Sequence, residues 1–398
     1  MFEAIQAAPA DPILGLTEAF QADPRSHKIN LGVGVYKDNL GGTPILPSVK
    51  AMEQRLVNEQ TTKSYLSIDG MPSYALEVQK LLLGAESDIL SAGRVQTAAA
   101  PGGTGALRIA AEFMRRQLSI KKIHVSNPTW ANHHSIFSQA GLEVASYAWF
   151  DAQNNALDWT GLQADLANVQ AGEAVLLHGC CHNPTGIDPT AEQWQQLADQ
   201  LAGRGILVVF DFAYQGFGAG VDEDAFSLRT FAQAFDELLV CSSFSKNFGI
   251  YNERTGAISL IGKNAEQART AFSQVRTLIR AIYSNPPAHG IQVVQGILSS
   301  TELRSQWLAE LAEMRQRIQQ MRSDFVAGLV AQGIKQDFSF IAQQNGMFSF
   351  SGLTLEQVNR LRDEHGVYIV GNGRISVAGM TPSNLPPLCT AIAQVLAN

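Results

Sequence analysis

The sequence predicts an α/β chain, with a mostly parallel sheet covered by helices and a smaller α+β region after it. Three observations predict this. Apolar runs of strand length alternate with helical patterns through the middle of the 398 residues, as in strand–helix–strand units. Four consecutive runs end in hydrogen-bonding side chains, as strands do where an open α/β sheet presents a ligand site. A long amphipathic stretch then precedes a different, mixed pattern.

The elements follow in order. "TAAAPGGTGALRIAAEFMRR" sets Gly102, Gly103, Thr104 and Gly105 just ahead of a helical pattern. Such glycines let backbone N–H groups converge on an anion at a helix N-terminus. "KKIHVSNP" (121–128), "AVLLHGC" (174–180), "ILVVFDFAY" (206–214), "LLVCSSFSK" (238–246) and "GAISLIG" (256–262) are short and apolar, the pattern of strands buried on both faces. "AEQWQQLADQLAGRG" (191–205) is a helix closed by its glycines. From about Glu302 to Gln332, Leu303, Trp307, Leu311, Met314, Ile318, Met321, Phe325 and Leu329 recur at spacings of three and four, so one helix face is apolar. "FSFIAQQNGMFSFSGL", "VYIVGNGRISVAGM" and the helix "NLPPLCTAIAQVLA" make up the smaller region.

Composition narrows the function. Hydrophobic residues are 45% and charged residues 16% of the chain, with net charge −7, values of an ordinary soluble globular protein. No basic run points to nucleic acid. No apolar run reaches the roughly 20 residues of a membrane span. The N-terminus carries Glu3 and no basic region, unlike a signal peptide. Four cysteines, Cys180, Cys181, Cys241 and Cys389, are too few for a disulfide framework in so long a chain, and a cytoplasmic location is expected. "CCHNP" lacks the ligand spacing of a zinc site, so no metal is expected.

The chemistry gathers at the strand ends: Asn127 with His133 nearby, His178 and Asn183, Asp211 and Tyr214, Ser243 and Lys246. Asp211 closes an apolar strand, where a carboxylate requires a partner and suits a cationic ring nitrogen. Ser243, Ser245 and Arg254 offer hydroxyls and a guanidinium for a phosphate dianion. Lys246 lies among them, and a partly desolvated lysine near a cation becomes a neutral amine. A phosphate cradle, a buried acid and a lysine on one sheet favour pyridoxal phosphate held as a Schiff base. A nicotinamide dehydrogenase would use the glycine loop, but its fingerprint is incomplete and Lys246 and Asp211 stay unexplained. A non-catalytic sensor on the same scaffold would usually carry a DNA-binding segment, and no basic helix-turn-helix precedes "DPILGL".

At these residues the chain resembles the fold-type I aminotransferases, in the aspartate and aromatic aminotransferase branch. The resemblance runs from "DPILGLTEAF" to "VAGMTP", through "NLGVGVYKD", "PGGTGALR", "SNPTWANH", "HGCCHNPTG", "DFAYQGF", "SFSKNFGIYNERTG", "YSNPPAHG", "NGMFSFSGL" and "GRISVAGM". It implies a large domain (44–311) with a mostly parallel seven-stranded sheet. It also implies a small domain (11–43 and 312–398) joined through the long helix, and an arm (1–10) gripping a second subunit of a homodimer. By resemblance Lys246 carries the cofactor and serves as general base, Asp211 pairs with the pyridine nitrogen and His133 supports it. His178 reads equally well as a core histidine. Trp130 stacks on the ring, and Asn183 and Tyr214 hold its phenolic oxygen. Gly103, Thr104, Ser243, Ser245 and Arg254 take the phosphate, with Tyr65 reaching it from the partner subunit. Arg374 takes the substrate α-carboxylate, Arg280 takes the distal carboxylate from the other subunit, and Gly34 and Phe348 line the substrate pocket, which small-domain closure shields from water. The implied reaction is L-aspartate with 2-oxoglutarate giving oxaloacetate and L-glutamate. Val35, Lys37, Thr43, Thr104 and Asn285 look like the aspartate type; Ser64 and Ile282 depart from it and leave aromatic side activity, or a mainly aromatic preference, open.

Overall fold

A computed structural model describes residues 1–7 and 14–397. The chain divides into two compact units. The larger comprises Pro44–Asn183 and Ile187–Gln316; the smaller comprises Met1–Thr43, Pro184–Gly186 and Arg317–Asn398. The later division therefore falls at 316 rather than at the expected 311.

The larger unit is built on seven strands: β1 (Val95–Pro101), β2 (Lys122–Asn127), β3 (Glu143–Ala148), β4 (Ala174–His178), β5 (Leu207–Phe212), β6 (Leu238–Ser243) and β7 (Thr255–Ile261). Their spatial order is β1-β7-β6-β5-β4-β2-β3. All neighbours are parallel except at β7, which runs antiparallel to both β1 and β6. The reversal has a local cause. Only residues 244–254 join β6 to β7, too few for the crossover helix that a parallel return requires. The central strands β4 and β6 are buried along their whole length, which is why their sequences are apolar without alternation.

Helix α1 (Gly102–Gln117) follows β1 directly, and its buried face, with Ala106, Ala110 and Ala111, is small enough to approach the sheet closely. The glycines expected ahead of this helix form its first turn instead. Helix α2 (Asn132–Gln139) follows β2. Helix α3 (Ala191–Leu201) begins with a capping box, Thr190 with Gln193. It stops at Leu201 because Ala202 is extended and Gly203 and Gly205 take positive φ.

Helix α4 (Thr301–Ala331) matches the amphipathic stretch, and all eight apolar residues of its stripe are buried. In the smaller unit, β8 (Phe348–Phe350) pairs antiparallel with β9 (Arg374–Ser376). Ile29–Asn30 pairs in parallel with Val367–Tyr368. Helix Leu355–His365 carries a second capping box, Thr354 with Gln357, and ends at Gly366 with φ +67°. Of the expected arm, residues 1–7 form a 3-10 turn at Phe2–Ala4 with Met1, Phe2 and Ile5 exposed; residues 8–10, and 11–13 of the expected small domain, lie outside the described residues. Among the described residues no helix is long and apolar enough to cross a membrane.

Candidate active site

Strand register brings the first group together. His178 of β4 stands beside Asp211 of β5, and Asp211 beside Cys241 of β6. Asp211 is buried and accepts a hydrogen bond from His133 Nε2 of helix α2, 78 residues away in sequence, at 2.9 Å. The chain of bonds continues outward. Thr129 Oγ1 lies 2.8 Å from His133 Nδ1 and 3.1 Å from His178 Nε2, and the backbone N–H of Asn183 donates to His178 Nδ1 at 3.5 Å.

That last bond sets the direction of the rest. With Nδ1 of His178 accepting, its Nε2–H donates to Thr129, whose hydroxyl donates to His133, whose Nε2–H donates to Asp211. Burial pushes the His178 imidazole down to about 3, so it stays neutral. Burial alone would raise the Asp211 carboxyl, but the hydrogen bond from His133 and the nearby Lys246 charge hold it below the usual carboxylate range. A fixed, ionised carboxylate results. Trp130 meets the His133 ring edge-on, with centroids 5.2 Å apart.

Lys246 lies in the 244–254 connection and is half-buried. Its Nζ is 4.4 Å from the centroid of the Tyr214 ring, and Asn183 Nδ2 donates to the Tyr214 hydroxyl at 3.3 Å. The backbone carrying the lysine is clamped. Asn247 donates to Gln215 O at 3.2 Å, Trp307 Nε1 donates to Asn247 O at 2.7 Å, and the Trp307 ring stacks on Phe248 at 4.5 Å.

The opposite end of this group is a donor cluster. Gly102 and Gly103 open α1, and Thr104 follows them in the first turn. A Cβ on Gly102 (φ +70°) would lie 2.5 Å from Arg254 Nη2, and one on Gly103 would lie 3.1 Å from the Ser243 Cβ. Arg254 Nη1 donates to Ser245 Oγ at 3.5 Å, and Ser243 Oγ donates to the same atom at 3.3 Å. Helix N–H groups, two hydroxyls and a guanidinium therefore converge without any carboxylate among them, the donor set of a phosphate site.

The remaining expected residues lie elsewhere. In the smaller unit the buried Arg374 donates to Gly32 O at 2.5 Å, and its guanidinium sits 4.2 Å from the centre of the Phe348 ring. Gly34 is required at its position, because a Cβ there would lie 2.6 Å from Phe348 Cζ. On the larger unit, Tyr65 is 90% exposed. Arg280 is also exposed and donates to Ser284 Oγ.

The sequence profile of aminotransferase class I and II matches residues 26–392. The chain belongs to this aminotransferase family. It is 59% identical to the aspartate aminotransferase of Salmonella typhi and 58% identical to that of Escherichia coli (strain K12), each over 396 residues and all of both chains. It is 48% identical, with a TM-score of 0.97, to the aromatic-amino-acid aminotransferase of Burkholderia pseudomallei in a crystal structure covalently bound to pyridoxal phosphate, covering 100% of this chain and 99% of that one.

In this aminotransferase, "CCHNP" has a structural environment. Side-chain atoms of Cys180, Cys181 and Asp224 lie within 4.8 Å of one another. The Asp224 oxygens, however, accept backbone N–H groups of Gly216, Gly218, Ala219 and Gly220, closing that loop. Burial pushes the Cys180 thiol well up. Sequence reasoning missed Thr129, Trp307 and Gly256. Thr129 stands in "SNPTWANH" four positions before His133, where a threonine hydroxyl carries no local sign of a task. Trp307 read as one more member of an apolar stripe, and its indole N–H is invisible to periodicity. Gly256, whose Cβ would lie 2.5 Å from the Gly102 carbonyl carbon, stood inside an apolar strand with no local sign of a close approach.

Proposed function

We propose that the chain is a pyridoxal-phosphate-dependent aspartate aminotransferase, moving the amino group of L-aspartate to 2-oxoglutarate in two alternating half-reactions. The observation that carries this reading is full-length identity of 59% and 58% to two aspartate aminotransferases, against 48% to an aromatic one. The products are oxaloacetate and L-glutamate, with side activity on aromatic amino acids.

The residues present fit the cofactor. An ionised, buried Asp211 stands at one end, a carboxylate-free donor cluster at the other, and an amine beside Tyr214 belongs to the same group. Gly103, Thr104, Ser243, Ser245 and Arg254 would hold its phosphate, Asp211 its ring nitrogen, Asn183 and Tyr214 its phenolic oxygen, Trp130 its ring face and Lys246 its aldehyde carbon. When bound, the cofactor supplies an electron sink for the charge that develops at the substrate Cα.

The protein's own groups do the rest. Lys246, as a free amine, would take the proton from the substrate Cα and return it across the imine nitrogen to the cofactor carbon that the lysine had held. Asp211 stays ionised throughout, because the chain from Asn183 N–H to His133 fixes the donor that faces it. Arg374 pairs with the α-carboxylate and Arg280 with the distal carboxylate, each guanidinium matching a carboxylate in a fork. Gly34 and Phe348 shape the surface beside Arg374.

The active unit in this reading is a homodimer. Tyr65 and Arg280 point outward from the protomer, a placement that suits donors completing a second copy's site, and the exposed Met1, Phe2 and Ile5 suit an arm against that copy. We place the enzyme in the cytoplasm, supported by four buried cysteines, none of them in a disulfide. The larger unit is the cofactor-binding domain and the smaller one carries Arg374.

The deciding experiment is steady-state turnover of L-aspartate, L-tyrosine and L-phenylalanine with 2-oxoglutarate as common acceptor. The expected result is the highest kcat/KM with L-aspartate. Higher kcat/KM with the aromatic substrates would transfer the main activity to them, and no turnover with any of the three would overturn the reading.

A further inference from the structure

Arg322 is a charged side chain with no exposure at all. It projects from helix α4, and both of its Nη atoms donate to one short stretch of chain. Nη1 donates to Ile341 O at 3.1 Å and to Ser349 Oγ; Nη2 donates to Asn345 O at 3.1 Å and to Gly346 O and Phe348 O, both at 2.7 Å. Four carbonyls and a hydroxyl within nine residues, 341–349, therefore converge on one guanidinium.

The stretch takes in the end of helix Phe340–Gln343, the irregular residues 344–347 and the first two residues of β8. Its carbonyls point inward at a single centre, a geometry that a loop adopts only around a cation or a fan of donors. The last residues it holds are the first of β8. Phe348 is opposite Ser376, and Phe350 opposite Arg374, in the β8–β9 pair. The Phe348 ring lies against the Arg374 guanidinium at 4.2 Å and fills the space left by Gly34. A physical line thus runs from Arg322 through the Phe348 backbone and ring to Arg374.

We infer that Arg322 is a positioning residue for the α-carboxylate anchor: by fixing the carbonyls of 341–348 it sets where the Phe348 ring stands, and the ring sets the plane of Arg374. The inference rests on the reading of Arg374 as that anchor. An anchor for the α-carboxylate serves every substrate alike, so its misplacement raises KM for all of them. A loss of folded enzyme instead lowers the apparent kcat and leaves KM in place.

The test is Arg322→Lys in the cofactor-loaded enzyme. Lysine keeps the charge but offers three donors from one point, so it cannot span five acceptors. The expected result is KM raised about tenfold for L-aspartate, 2-oxoglutarate and L-tyrosine together, the equivalent of about one charged hydrogen bond at the weak end of its range, with kcat changed less than about threefold and an unchanged cofactor spectrum. Wild-type KM values in folded Arg322→Lys overturn the inference, as does a rise for dicarboxylic substrates alone. Should that variant not fold, Ser349→Ala removes one acceptor and retains the charge; a common KM increase of about threefold supports the inference and an unchanged KM overturns it. Arg374→Lys is measured in parallel. If KM is unchanged there, the anchor reading itself falls and the inference falls with it; if KM rises there but not in the Arg322 and Ser349 variants, only the inference falls.

Discussion

Gly102→Ala separates two demands that the phosphate end makes on the backbone. Gly102 has φ +70°, and an added Cβ would lie 2.5 Å from Arg254 Nη2 and 3.0 Å from its Cζ. The left-handed conformation costs an alanine about 1–2 kcal/mol, and a denaturation midpoint reads that loss directly. The close contact is relieved at little cost to folding, because Arg254 is an exposed, flexible side chain. Relief nevertheless moves the guanidinium away from Ser245 Oγ, its partner at 3.5 Å, and out of the donor cluster. A hydrogen bond to a charged group contributes about 1.5–3 kcal/mol. At about 1.4 kcal/mol per factor of ten, cofactor affinity falls by about 10- to 150-fold. The assay is titration of the apoenzyme with pyridoxal phosphate, followed by absorbance. Gly41→Ala is the control, since Gly41 has φ +84° with nothing within 4 Å of a Cβ; it carries the strain without the contact. Wild-type affinity in folded Gly102→Ala would refute the phosphate role of Arg254, and an equal loss of affinity in Gly41→Ala would assign the effect to strain alone.

Three further outcomes are expected. Lys246→Ala binds the cofactor through the phosphate cluster and Asp211 but loses at least the factor of about 10²–10⁴ that a positioned base contributes; single-turnover absorbance with L-aspartate reads it, and substantial retained turnover refutes Lys246 as the base. Arg280→Ala lowers kcat/KM for L-aspartate by about a hundredfold, the worth of a bidentate charged pair, and lowers it much less for L-tyrosine; an equal fall for both removes Arg280 as the distal-carboxylate ligand. His178 is held down to about 3 by burial, against 6.5 when exposed. The unfolded chain therefore binds the extra proton in that window, and His178 contributes a loss of stability as pH falls from about 6.5 toward about 3. His178→Asn flattens this limb of the urea-midpoint profile, whereas a profile parallel to wild type would show that the imidazole is not buried neutral.

Much of the site was legible because its residue types are improbable where they stand. A lone acid at the end of "VVFDF", or a lysine between hydroxyls after "LLVCSS", contradicts the apolar pattern it interrupts, and that contradiction is readable without a structure. Residues that obey their local pattern were not legible. Trp307 and Gly256 satisfy a helix stripe and a strand, and their second tasks, holding Asn247 O and admitting the Gly102 backbone, depend on partners 60 and 154 residues away. Arg322 likewise reads as one more charge on a helix, and only its burial reveals the loop it organises.

The sequence by itself determined the alternation of strands and helices, the strand ends at which chemistry gathers and the likeness to one family, because hydrophobic period, chain punctuation and residue type are local properties. Tertiary structure alone decided the antiparallel β7, the direction of the hydrogen bonds from Asn183 to Asp211 and the close approach of Gly102 to Arg254. Each of these is a distance or an orientation between residues far apart in the chain, set by strand register and by which groups find a partner once water is excluded.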